Sequence, residues 1–270
     1  MMVVFLHCLP PSDYEVLGLD AIFRLGIVFV TSPCVPIFFM ITGILILPTS
    51  CEIESLNSFY KKRISKVLYP LIFWGIVYSV VPYMLNLQEL TDTIKDLILV
   101  PFVYPPEIGA VLWYLYILIG IYLIIPFISS KVYNYANYQK IYLIIWLLSS
   151  LVFLWQMYEP RVLGINEWEH NVHSLSYFWG YFGFCILGLY INKSIYKMKA
   201  MKAIILYILV CLLMFLGNKY GDSNLSQWIS SFLSIPSIIL TVILFMYIKS
   251  LRINENGFIY KLIKKVIAVH

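Results

Sequence analysis

His7 closes the short apolar run Met1 to Leu6, and the chemistry open to it is proton transfer. A neutral imidazole titrates near physiological pH and is the usual general base. Ionisable side chains beside hydrocarbon are costly, and those retained there face a bundle interior or a water-filled cavity. The competing reading is a boundary histidine whose ring reaches headgroup water. A second cluster, Tyr60-Lys61-Lys62-Arg63-Ile64-Ser65-Lys66, puts Arg63 and Lys66 one helical turn apart on one face. Two fixed cations at that spacing grip phosphate groups. They equally suit a topogenic cluster lying against anionic lipid.

The third group is Glu167-Trp168-Glu169-His170-Asn171-Val172-His173, with two imidazoles three residues apart and two carboxylates. Metal binding or action on a polar acceptor fits those residue types, but no His-Glu-x-x-His pattern accompanies them, and a solvated loop has the same composition. The five cysteines (Cys8, Cys34, Cys51, Cys185, Cys211) are scattered, show no Cys-x-x-Cys, and read as small core residues. No metal site is expected. Glycine-rich phosphate loops and the Gly-x-Ser-x-Gly elbow are absent from the sequence, so neither ATP-driven transport nor a soluble hydrolase fold has support.

The elements that must position these groups are membrane helices. Hydrophobic residues make up 61% of the chain, charged residues only 12%, and mean hydropathy is +0.84. Seven apolar segments, 25–47, 67–86, 109–129, 141–157, 175–192, 203–217 and 229–248, approach the length that crosses about 30 Å of hydrocarbon. The run 1–9 covers only about 14 Å at the helical rise and reads as the outer end of a partial helix. The fold class expected is therefore all-α: a polytopic transmembrane helix bundle of seven spans plus an N-terminal partial helix.

Charge fixes the orientation. If the partial helix exits outward, loops 48–66, 130–140, 193–202 and 249–270 are cytoplasmic and hold fifteen of the nineteen Lys and Arg residues. The other loops hold Arg24, Lys95, Arg161 and Lys219 with most of the acids, as the positive-inside rule requires. The net charge of +5 is thus topogenic, and nucleic acid is set aside. Trp113, Trp155, Trp168 and Trp228 fall near the outer boundary and are expected in an aromatic belt. Pro36 is expected to bend the segment Val35 to Gly43, whose Thr42 and Gly43 let helices approach closely.

Four stretches together resemble the acyltransferase-3 family of bacterial membrane enzymes. Val3 to His7 is similar to the end of its first helix. Val35-Pro36-Ile37-Phe38-Phe39-Met40-Ile41-Thr42-Gly43 resembles its Phe-Phe-x-x-Ser-Gly signature, with Thr42 for Ser. Arg63 to Lys66 and the proline-containing stretch Leu68 to Trp74 resemble its Arg-x-x-Arg element, with Lys66 for the second Arg. Leu112-Trp113-Tyr114-Leu115-Tyr116, with Pro126, resembles its Leu-Trp-Phe/Tyr helix, and Tyr181 to Tyr190 with Gly188 agrees.

The resemblance implies one integral-membrane acyltransferase domain over 1–270, incomplete at both ends because the family has about ten helices. It implies a multi-pass protein of the bacterial cytoplasmic (inner) membrane acting in polysaccharide biosynthesis at the cell envelope. An acyl group, acetyl in the usual case, passes from cytosolic acetyl-CoA to a hydroxyl of a cell-surface or lipid-linked polysaccharide. In that scheme His7 is the catalytic residue at the outer face, and Arg63 and Lys66 bind the CoA phosphates. The partners are acyl-CoA, the glycan acceptor and membrane lipid. The alternatives are a glycan transporter or flippase, which would carry paired broken helices, and an inactive fragment of the acyltransferase.

Overall fold

The computed structural model describes residues 19–50, 55–100, 112–158 and 175–251. Among them the regular structure is entirely helical: α1 (Leu19–Thr31), α2 (Cys34–Ser50), α3 (Leu56–Met84), α4 (Leu90–Leu99) and α5 (Trp113–Asn134) lead into α6 (Ala136–Tyr158), α7 (Leu175–Lys193), α8 (Ala200–Tyr220), α9 (Ser223–Ser230) and α10 (Ile235–Ser250). Helix is what hydrocarbon demands of an open chain, because every backbone group finds its partner within the segment. Five described stretches are long and apolar enough to cross a bilayer: Leu25–Pro48, Leu56–Met84, Trp113–Asn134, Ala200–Tyr220 and Ser223–Ser250. The remaining two of the seven expected segments, 141–157 and 175–192, fall on the helices α6 and α7.

Two of the long stretches are broken. Leu25–Pro48 is α1 and α2 joined through Ser32 and Pro33, so the bend lies before the predicted Pro36. Pro36 sits in the first turn of α2, where the missing N–H has no intrahelical acceptor to leave unpaired. Ser223–Ser250 is α9 and α10, interrupted at residues 231–234. The span expected over 67–86 also begins eleven residues sooner, at Leu56, which puts the whole Lys61 to Lys66 cluster on the first turns of α3.

The core gathers around α2, α5 and α7. On α5, Leu118, Ile121, Tyr122, Ile125, Ser129 and Val132 form one buried stripe. Outward faces are apolar: Ile204, Ile208, Leu212 and Phe73 stand exposed, as lipid-facing side chains must. Between helices in lipid the hydrophobic effect gives little, and close packing at small residues takes over. That is where α2 and α7 meet. A Cβ on Gly43 would lie 2.1 Å from the Cys185 carbonyl oxygen, and one on Gly188 would lie 2.4 Å from that of Met40. Two backbones are in direct contact, which explains the signature glycine. The neighbouring Thr42 is buried and returns its hydroxyl to the Phe38 carbonyl, 2.9 Å away.

Tryptophans depart from the expected belt. Trp155 is exposed, but Trp228 is buried and donates its Nε1–H to the Ser150 carbonyl at 3.2 Å. Trp113 turns inward, its ring 5.3 Å from Tyr181 and 6.1 Å from Phe232. Trp168 lies outside the described residues. The Trp228 indole donor and the Trp113 ring found interior partners, which hydropathy cannot foresee.

The glycine contacts carry a stability prediction. Gly43→Ala and Gly188→Ala each force backbone apart and should destabilise the detergent-solubilised protein by about 1–3 kcal/mol, as overpacking does. Gly26→Ala, where nothing lies within 4 Å, should be neutral or stabilising. Thermal unfolding of the three variants checks this, and equal midpoints would remove the close-contact explanation.

Candidate functional site

The bundle has two chemically distinct ends. At one end Lys249 Nζ donates to the carbonyls of Ile191 (2.7 Å), Asn192 (2.8 Å) and Ser194 (2.5 Å), capping the C-terminus of α7. Lys193 Nζ donates to the Tyr133 carbonyl at 2.6 Å and lies 4.2 Å from the centre of the Tyr133 ring. Ser250 Oγ donates to the Met198 carbonyl at 2.8 Å. These bonds join the loops 130–140, 193–202 and 249 onward, three of the four that charge assigned to one side. Topogenic lysines therefore also serve as helix caps.

The acids sit at the other end. Gln88 Nε2 donates to Asp96 at 2.7 Å beside α4, and Tyr158 donates to Asp222 at 2.6 Å between α6 and the α8–α9 turn. The Tyr158 hydroxyl and the Leu225 amide hold the Asp222 carboxyl below its ordinary value. Its contribution to stability is present above the ordinary carboxylate range and is lost as pH falls through the lowered value.

Arg63 and Lys66 lie recessed from the cationic end. The buried residues of α3 recur every four or eight positions, Phe59, Val67, Leu71, Gly75 and Ser79, and Arg63 occupies the gap between Phe59 and Val67. Its side chain is half-buried, whereas that of Lys66, one turn on, is exposed. Tyr60 fixes this register by donating to the Leu123 carbonyl at 3.0 Å. From Leu123, α5 runs eleven more residues to Asn134, about 16 Å at the helical rise. Arg63 is therefore level with the middle of α5, well inside its inner terminus.

Two prolines add polarity at the same level. Pro70 has no N–H for the Lys66 carbonyl, and Pro126 has none for the Tyr122 carbonyl, each four residues back. Freed carbonyls at membrane depth are tolerated where neighbours or a cavity receive them.

Lys66 opens onto such a space. A groove of about 450 Å³ rises from it along Pro70, Trp74 and Tyr78 of α3. Leu112, Leu115 and Leu118 of α5 form the facing wall, and Phe38 of α2 and Tyr114 close it, their rings 5.9 Å apart. Both Phe38 and Trp74 are partly exposed, so the groove opens on the outside of the bundle.

Of the residues singled out from sequence, the structure thus brings Arg63 and Lys66 to one level on α3. His7 and the stretch Glu167 to His173 lie outside the described residues. Among the described residues no cluster of His, Cys, Asp and Glu could hold a metal ion. Sequence reasoning missed Tyr122, Tyr60 and the groove walls. The prolines inside apolar segments were the available signal, since each frees a carbonyl at a known position.

Apolar helices of spanning length with outward apolar faces define a multi-pass membrane protein. The acyltransferase domain family matches residues 1–267, and the chain belongs to this acyltransferase-3 family. Acyl transfer at a membrane is the activity that membership implies, with an acyl donor as substrate. No curated protein and no solved structure matches the chain.

Sidedness is open to direct measurement. With the cationic end cytoplasmic, Leu87→Cys and Tyr220→Cys, both at strongly exposed positions, should react with an impermeant thiol reagent on intact cells. Ile195→Cys should react only after permeabilisation. The reverse labelling pattern would invert the topology.

Proposed function

We propose that this protein moves an acyl group from cytosolic acyl-CoA across the membrane to a hydroxyl of a cell-surface or lipid-linked polysaccharide. It does so as one integral-membrane domain over 1–270 in a bacterial cytoplasmic membrane, with α6 and α7 completing seven spans. The observation that carries the reading is the placement of Lys66, at the cationic side of the bundle yet at the foot of a groove that rises towards the opposite end. A donor entering from the cationic side would meet Arg63 and Lys66 first. Arg63 would take phosphate oxygens through its fork, and Lys66 would act as a point charge beside them.

His7 is the proposed general base at the outer face. It would remove the acceptor hydroxyl proton as the oxygen attacks the thioester carbonyl; the carbon–sulfur bond then breaks, and coenzyme A leaves as the thiol after taking up a proton. Acetyl is the acyl group implied by the family resemblance, and acetyl-CoA is then the donor substrate. No metal enters the scheme.

The test is O-acylation of the host glycan by cells expressing wild type, His7→Ala, Arg63→Ala and Lys66→Arg. Loss of the general base should lower acylation by about 100-fold or more. Arg63→Ala should act through donor binding and raise the KM for acyl-CoA by about tenfold or more. Lys66→Arg should retain activity because the charge persists. Unchanged acylation in His7→Ala would remove His7 from the mechanism, and an unchanged donor KM in Arg63→Ala would remove Arg63 from donor binding.

A further inference from the structure

We infer that the loop 194–199 between α7 and α8 docks on anionic phospholipid of the cytoplasmic leaflet. Ile195 rests at the boundary of headgroups and tails, a level that water still reaches, and Lys199 and Lys202 meet the phosphates. The inference stands apart from the acyl-CoA reading. It begins from how the loop is held. Lys249 of α10 donates to the Ser194 carbonyl at 2.5 Å, and Ser250 Oγ donates to the Met198 carbonyl at 2.8 Å. Between those points the Tyr196 amide donates to Ser194 Oγ at 3.2 Å. Met198 turns inward and is buried, whereas Ile195 is 95% exposed. The backbone thus fixes an isoleucine outward, and in water that side chain forgoes the gain that apolar surroundings would give.

The place of the loop on the bundle identifies those surroundings. Lys202 heads a stripe of α8 that continues through Ile205, Leu209 and Leu213, at i+3, i+7 and i+11, all of them exposed. Lys202 Nζ donates to the Tyr196 hydroxyl at 3.2 Å, which draws the loop tip over this lipid-facing stripe rather than beneath the bundle. Lysine stems lie along apolar surface while the ammonium reaches the headgroups. Lys199 and Lys202 are exposed, and the described carboxylates with placed side chains belong to the opposite end of the bundle. Charge complementarity then selects a net-anionic headgroup over a zwitterionic one. The anchor also answers a need of α8, which buries Ala203 and Met214 but turns most of its length to lipid. Apolar contact in lipid holds such a helix weakly, and cations at the leaflet surface fix its depth.

The experiment reconstitutes the full chain carrying Ile195→Trp in vesicles of equal phosphatidylcholine and phosphatidylglycerol, and subtracts the emission of the chain without that substitution. One lipid at a time carries tails brominated near the glycerol, which quench an indole on contact. Brominated phosphatidylglycerol should quench the added emission at least about fivefold more strongly than brominated phosphatidylcholine, the gain of one cation at an anionic surface. Lys199→Gln with Lys202→Gln should bring that ratio close to one while both lipids still quench. Lys140→Gln, which removes an exposed cation of α6 at the same end, should leave the ratio unchanged. Absence of quenching by either lipid would put the loop tip in the cytosol and overturn the docking. A ratio near one before the lysines are changed, or one that the double substitution does not lower, would overturn the headgroup contact. A ratio lowered as far by Lys140→Gln would make the preference a property of the whole cationic end and would also overturn the local site.

Discussion

The contact on which the arrangement depends is the crossing of α2 over α7 at Gly43 and Gly188. In lipid, apolar surface gains nothing by leaving one hydrocarbon for another, so helices hold together only where their atoms pack closely. Backbone against backbone is the closest packing available, and it requires both glycines. Cys185, the residue facing Gly43, is fully buried as a result. The crossing also sets Phe39 against Tyr181 at 4.9 Å, and Tyr181 against Trp113 at the start of α5. Through that aromatic chain the α2–α7 crossing determines where α5 begins, and α5 carries one wall of the groove.

Depth is the second constraint. A cation in a loop costs little, whereas one level with the middle of a spanning helix needs water, a counter-charge or a ligand. The described carboxylates with placed side chains, Glu89, Asp92, Asp96 and Asp222, belong to the opposite end of the bundle. Near Arg63, Pro70 of α3 and Pro126 of α5 each leave a backbone carbonyl without its helical partner. Polar backbone and a cation at one level fit the proposed entry of an anionic donor from the cationic side. Lys249, which caps α7, and Lys193, which caps α5, are already engaged by carbonyls.

The all-helical, membrane-spanning character was legible because it is written in a long average, the length of apolar sequence. What sequence misplaced is local. Charge usually marks a loop, which makes Val67 the expected start of α3, yet Lys61 and Lys62 are helical with their side chains exposed. Trp228 was assigned to the membrane surface because tryptophan usually sits there, and its partner Ser150 is 78 residues away. Lys66 and Leu115 come together only through a tertiary crossing. No periodicity in either segment announces the groove that they share.

Broken spans also bear on the competing class, because discontinuous helices in transporters leave carbonyls free to coordinate a substrate or ion. The sequence showed no such pair, whereas the structure has one break at Ser32–Pro33 and another at 231–234. Their carbonyls are taken internally. Ser32 Oγ donates to Phe29 at 2.9 Å and Thr31 Oγ1 to Ile27 at 2.8 Å. In the second break Ser237 Oγ donates to Ser231 at 2.9 Å, Ser234 Oγ to Ile229 at 3.2 Å, and Ser150 Oγ of α6 to Leu233 at 2.7 Å. Serine hydroxyls occupy the positions a transported ligand would need, so these breaks act as internally bonded bends. The carbonyls that prolines free beside Lys66 and Tyr122 lie instead beside the groove and the cation pair. That contrast agrees with the donor site proposed at the α3–α5 contact and with the acyltransferase family to which the chain belongs.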